Sequence, residues 1–131
     1  MNRSDRVALT RAQINTKINQ LTRQKNSYAS EKTNYEKSLT YAKKLVQSLN
    51  NSVAYLATSN DYMQRFFTIN NKTADGGKIS KTKEEINQII KKLNNIIIPN
   101  INNNISSLKT KINNADKEIA KLKKELQTAT E

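Results

Sequence analysis

One spacing constrains this chain more than any other: apolar residues recur every seven positions. Val7, Ile14, Leu21, Tyr28, Tyr35, Ala42, Leu49, Leu56 and Met63 keep that spacing without a slip. Four residues after some of them stand Ile18, Leu39, Val46, Val53 and Phe67, while Arg11, Lys25, Lys32 and Asn60 hold the equivalent places elsewhere. A helix returns to the same face after seven residues, so this is a heptad seam with a weak second position in its N-terminal part. It predicts a helix over about 5–69, roughly 100 Å long at 1.5 Å per residue. The stretch "SLNNS" at 48–52 is the expected place for a bend, because paired asparagines compete with helical hydrogen bonding.

The second half repeats the pattern. Ile105, Leu108, Ile112, Ala115, Ile119, Leu122 and Leu126 alternate steps of three and four. Ile86, Ile89 or Ile90, Leu93, Ile97 and Ile101 extend the stripe upstream with steps nearer four, predicting a helix over about 79–128. Between the two seams, "NNKTADGGKISKTKEE" carries the asparagine pair, Asp75 and Gly76-Gly77, which is turn chemistry. Ser80 or Thr82 is expected to cap the following helix, with Glu84 or Glu85 in its first turn. A loop of about 70–78 between two long seams predicts an antiparallel neighbour pair, an elongated all-α helical hairpin forming a single domain over 1–131.

"NNIIIPNINNNISSL" at 94–108 tests that reading, since it sets three isoleucines against the only proline. A strand would show period two and would lose a ladder bond at Pro99. The stripe Ile90, Leu93, Ile97, Ile101, Ile105 instead keeps a helical step through the proline, so the second helix is expected to kink near Pro99. Ile96 and Ile98 fall beside that stripe. Two readings follow for Ile96, Ile97, Ile98 and Ile101: a wide core patch opposite a bend in the first helix, or a docking surface for another protein.

Composition narrows the function classes. There is no Cys and no His, which removes disulfides, thiolate sites, and the commonest general base and zinc ligand. Asp61, Asp75 and Glu84-Glu85 read as helix surface, turn and capping charges. "ADGGK" at 74–78 has neither the spacing nor the preceding strand of a phosphate loop. No catalytic, cofactor or metal site is expected. The N-terminus "MNRSDRVALTRAQ" has no apolar signal region, and no apolar run approaches the roughly 20 residues of a membrane span. The expectation is a cytosolic product that leaves the cell, if at all, by a route that does not read such a signal. The net charge of +12 invites a nucleic-acid reading. The lysines and arginines are dispersed, however, and Tyr28 and Tyr35 sit on the apolar seam rather than among them, which favours a solvated coiled-coil exterior. Arg11, Lys25 and Lys32 differ from the rest because they interrupt the seam itself. Polar seam positions select partner and register at a cost in stability.

Three features resemble a known family. A helix with spaced leucines and tyrosines starts without a signal. "FFTINNKTADGGKI" places a Gly-Gly loop after the pair Phe66-Phe67, and "IIPNINNNISSLKTKINNADKEIAKLKKEL" follows as a long isoleucine-spaced coil. Together they resemble the YwqH-like small helical proteins encoded beside LXG-domain toxins in type VII secretion loci of Gram-positive bacteria. The resemblance implies a targeting or chaperone-like subunit that pairs with the toxin's N-terminal LXG helices, often alongside a second small helical protein. No W-x-G is present, and Tyr28, Tyr35, Tyr41, Tyr55 and Tyr62 lack an acid four residues on. An export signal of that type would come from another subunit.

The expected function is thus a non-catalytic helical partner protein. The alternatives are a coiled-coil scaffold, which would self-associate when alone, and a basic nucleic-acid-binding hairpin. The candidate partner-binding residues are Ile96, Ile97, Ile98, Ile101, Lys25, Lys32, Tyr28, Tyr35, Phe66 and Phe67.

Overall fold

The computed structural model describes residues 9–69 and 77–129, excluding the side chains of 63, 64, 66–69, 77 and 78. Expectations about 70–76, the turn with Asp75 and Gly76 among them, and about Val7 lie outside the described residues. The chain is an all-α hairpin: α1 spans Arg11–Ile69, α2 Gly77–Lys92 and α3 Ile98–Thr128, with a π-helical turn at Leu93–Ile97 joining the last two. It divides into two compact units, Met1–Tyr35 with Asn104–Glu131 and, separately, Glu36–Asn103.

The described start of α1 is Arg11, after the non-helical Leu9 and Thr10, while the expected start near residue 5 lies outside the described residues; the reason for the start at Arg11 is local. The Thr10 hydroxyl accepts a hydrogen bond from the Gln13 N–H at 3.2 Å, while the Thr10 N–H donates to Gln13 Oε1 at 2.9 Å. This reciprocal box satisfies two backbone donors that a helix start otherwise leaves open. Beyond it, Ile14, Ile18, Leu21, Lys25, Tyr28, Lys32, Tyr35, Leu39, Ala42, Val46, Leu49, Val53, Leu56 and Asn60 are all buried or half-buried, in steps of four and three. The heptad is therefore the burial pattern. The helix also continues unbroken through 48–52. There the Ser52 hydroxyl donates to the Ser48 carbonyl oxygen at 3.1 Å. Thr16, Thr22, Thr33, Thr40 and Thr58 make the same bond to the residue four back. Hydroxyls that could divert the backbone are thus satisfied within the helix.

The helix α2 is already present at Gly77, ahead of the expected start near residue 79, which puts Ser80 and Thr82 inside it. Along it Ile79, Lys83, Ile86, Ile90 and Leu93 are the buried or half-buried positions.

Near Pro99 the stripe does slip, contrary to the phase read through Ile97. Leu93 is buried, Ile97 is 42% exposed, and the next shielded residue is Ile98, five positions on. The π-turn makes that step. The Ile98 N–H donates to the Leu93 carbonyl oxygen, spanning five residues instead of four. Such a turn inserts one extra residue per turn. It sits where the Pro99 ring would meet the carbonyl four residues back and where Pro99 itself offers no N–H. From Ile98 onward, Ile101, Ile105, Leu108, Ile112, Ala115, Ile119, Leu122 and Leu126 resume steps of three and four without error.

This phase shift separates two adjacent isoleucines by effect. Ile98→Ser should destabilise the fold by about 1–2 kcal/mol through lost burial, while Ile97→Ser should change stability by no more than about 0.5 kcal/mol. Urea unfolding followed by circular dichroism reads both; equal losses would mean the π-turn does not set the phase in solution.

Candidate partner-binding surface

The expected site residues divide between the two units. In the unit formed by Met1–Tyr35 and Asn104–Glu131, Lys25 and Tyr28 lie half-buried on the seam and are used across it. Lys25 Nζ is 2.6 Å from Asp116 Oδ1. Lys111 Nζ stands 5.4 Å from the centre of the Tyr28 ring, within range of cation–π attraction. Arg11 donates from a guanidinium nitrogen to the Leu126 carbonyl oxygen at 3.0 Å. As the α1 residue number rises through 11, 25 and 28, the partner's falls through 126, 116 and 111, so the segments run antiparallel. Ile14, Ala115 and Leu122 are buried between these polar ties, and Ile105 and Leu108 are buried beyond the last of them. Lys32 and Tyr35 are half-buried at the next two seam positions. The polar seam residues thus mark register inside the chain, and the sequence placed them on the seam without revealing their partners.

Two shallow clefts flank this seam, one bordered by Lys17, Gln20, Leu21, Gln24, Glu118 and Leu122, the other by Thr22, Lys25, Asn26, Asp116, Ile119, Ala120 and Lys123. Among the described residues, no three acidic side chains converge as a metal site, and no helix is long and apolar enough to cross a membrane.

The unit Glu36–Asn103 has a different surface. Its buried apolar residues are Ala42, Ile90 and Leu93, and it contains every described large hydrophobic residue that is strongly exposed: Tyr41, Leu45, Tyr55, Tyr62, Ile89, Ile96 and Ile97. Ile96 is 56% exposed and sits beside Ile97 on the π-turn. Ile98 and Ile101, expected as part of the same patch, are half-buried on the seam. The side chains of Phe66 and Phe67 lie outside the described residues. Sequence reasoning missed the α1 contribution, Tyr41, Leu45, Tyr55 and Tyr62. Its signal was a second run of heptad spacing one residue ahead of the first.

No protein-family model, curated protein or solved structure matches this chain.

The ion pair offers a direct check on register. Lys25→Asp alone should cost about 0.2–1 kcal/mol, the range of a partly exposed pair plus the new repulsion with Asp116. Adding Asp116→Lys should recover most of that loss in thermal melts at low salt. Failure of the second change to rescue the first would place these residues apart in solution.

Proposed function

We propose that this chain is a non-catalytic helical partner protein, and that its partner is the helical N-terminal LXG domain of a type VII secreted toxin. The observation that supports a partner is the exposed pair Ile96–Ile97. The hairpin's own seam is already filled by Leu93 and Ile98 on either side of them, so the pair is surplus to the fold. Adjoining exposed apolar side chains of this size are characteristic of interaction surfaces. The choice of an LXG domain rests on the resemblance carried by the Gly-Gly loop after Phe66-Phe67 and by the isoleucine-spaced coil that follows it. On this reading the chain holds the toxin's helices in an export-competent bundle, a second small helical protein joins it, and any export signal lies on one of those other chains.

Co-expression with the N-terminal segment of an LXG-domain toxin, followed by size-exclusion chromatography, tests the assignment. The expected result is a co-eluting complex that survives about 0.5 M salt, because salt screens exposed charge contacts but not an apolar helical interface. Self-assembly of this chain alone, with no toxin segment in the peak, would favour the scaffold reading. Binding to DNA that falls steeply with salt would favour the nucleic-acid reading.

A further inference from the structure

The exposed apolar residues of Glu36–Asn103 are not scattered. Let the seam positions be a and d, so that Ala42, Leu49 and Leu56 are d while Val46 and Val53 are a. Tyr41, Tyr55 and Tyr62 then all occupy c, and Leu45 occupies g. On α2, with Ile90 at a and Leu93 at d, Ile89 and Ile96 occupy g. The π-turn resets the register, Ile98 becomes a, and Ile97 becomes a second g residue beside Ile96.

These letters define a side of the helix pair. Viewed down two antiparallel helices, residues wind clockwise on one and counter-clockwise on the other. The position just before a therefore falls on the same side of the shared seam in both. The c and g residues of α1 and the g residues of α2 and the π-turn thus wall one groove. On the opposite side the described b and e positions are Thr40, Lys43, Gln47, Asn50, Ala54, Ala57 and Asp61 on α1, and Glu84, Asn87, Lys91 and Asn94 on α2 and the π-turn. No large apolar side chain is among them.

The rim of the apolar side is charged with one sign. Lys37, Lys44 and Arg65 stand at the α1 positions beyond c, and Lys81 and Lys92 at the corresponding α2 edge, all exposed; Glu85 is the one acid. Floor and rim together describe the occupant. The floor matches an apolar helical stripe, the standard helix-in-groove mode. Tyrosine suits its edges, having an apolar ring and a polar tip. A second copy of this chain would bring the same basic rim and be repelled.

We infer that this groove binds one amphipathic helix of another protein whose apolar stripe is flanked by carboxylates, completing a three-helix bundle with residues 37–65 and 81–97. The inference deepens the partner-protein reading by naming its surface and the chemistry of its partner.

A synthetic four-heptad helix, about 28 residues and so long enough to fold on docking, serves as the probe. It carries Ile and Leu at a and d and Glu at e and g; its counterpart carries Lys at e and g. Fluorescence anisotropy against the full chain should show the Glu helix binding at least about tenfold more tightly than the Lys helix. Tyr55→Ser with Ile96→Ser should weaken it by about tenfold or more with unchanged circular dichroism. Gln47→Ser with Asn94→Ser, on the polar side, should leave binding unchanged. Equal affinity for the two helices, insensitivity to the Tyr55 and Ile96 changes, or loss through the polar-side changes would each overturn the groove. A Glu helix that binds while the LXG segment does not co-elute would remove the toxin assignment and leave the groove standing. An LXG segment that co-elutes and is indifferent to Tyr55→Ser with Ile96→Ser would do the reverse.

Discussion

The second seam holds one residue more than an α-helix can place between Leu93 and Ile98, and much of the structure answers to that surplus. An α-helical step of four from Leu93 would bury Ile97 and carry every later seam residue one position out of phase, exposing Ile105, Leu108, Ala115 and Leu122. The π-turn takes up the extra residue by the Ile98-to-Leu93 hydrogen bond. A π-turn is an uncommon conformation, and Pro99 makes it locally favourable. The ring conflicts with a regular α-helical carbonyl, and the missing N–H leaves one fewer bond to lose. The same turn that keeps the seam filled on both sides rotates Ile96 and Ile97 outward together. Fold maintenance and an exposed apolar pair thus have one cause.

How far the sequence can be read follows from which interactions are periodic. The α1 seam was legible from Ile14 to Asn60, and the stripe from Ile105 to Leu126, because burial of one helical face leaves a regular record. The end of the last helix at Thr128 followed from it. Between Leu93 and Ile101 the record is degenerate. Ile96, Ile97 and Ile98 are chemically identical, so hydrophobicity alone cannot say which faces inward, and a constant α-helical step picks Ile97. The helix start was lost for a related reason. Val7 continues the heptad past the Thr10–Gln13 box, and a pattern search weights the repeat over a cap that involves two residues. Lys25 was recognised as a break in the seam, yet its partner Asp116 is 91 positions away along the chain. Such a pairing depends on the register between distant segments, which no local pattern encodes.

The second apolar stripe on α1 was hidden by its own composition. Tyr41, Leu45, Tyr55 and Tyr62 alternate with Ser48, Ser52 and Ser59 at the same heptad spacing. The serines dilute the hydrophobic average, and the dominant a and d seam lies one residue away. A helix with apolar residues on two neighbouring stripes looks weakly amphipathic, since its apolar directions partly cancel the polar contrast. Exposure separates the stripes where averaging merges them.

The two units reflect different solutions to packing a chain with few apolar residues. Between Met1–Tyr35 and Asn104–Glu131, Ile14, Ile105, Leu108, Ala115 and Leu122 are buried, and Arg11, Lys25 and Lys111 reach across to Leu126, Asp116 and Tyr28. Directional polar contacts of this kind contribute little energy when partly exposed, but they penalise a slipped register. Glu36–Asn103 buries only Ala42, Ile90 and Leu93 among its described apolar residues while leaving seven large ones exposed. A two-helix layer gives each helix one neighbour, so a second apolar stripe has no place to go within it. On the proposed reading, a third helix against the same side covers Tyr41, Tyr55 and Ile96. For that reason the surplus apolar surface and the basic rim around it belong in one account: the first fixes where a further helix would lie, and the second fixes its charge.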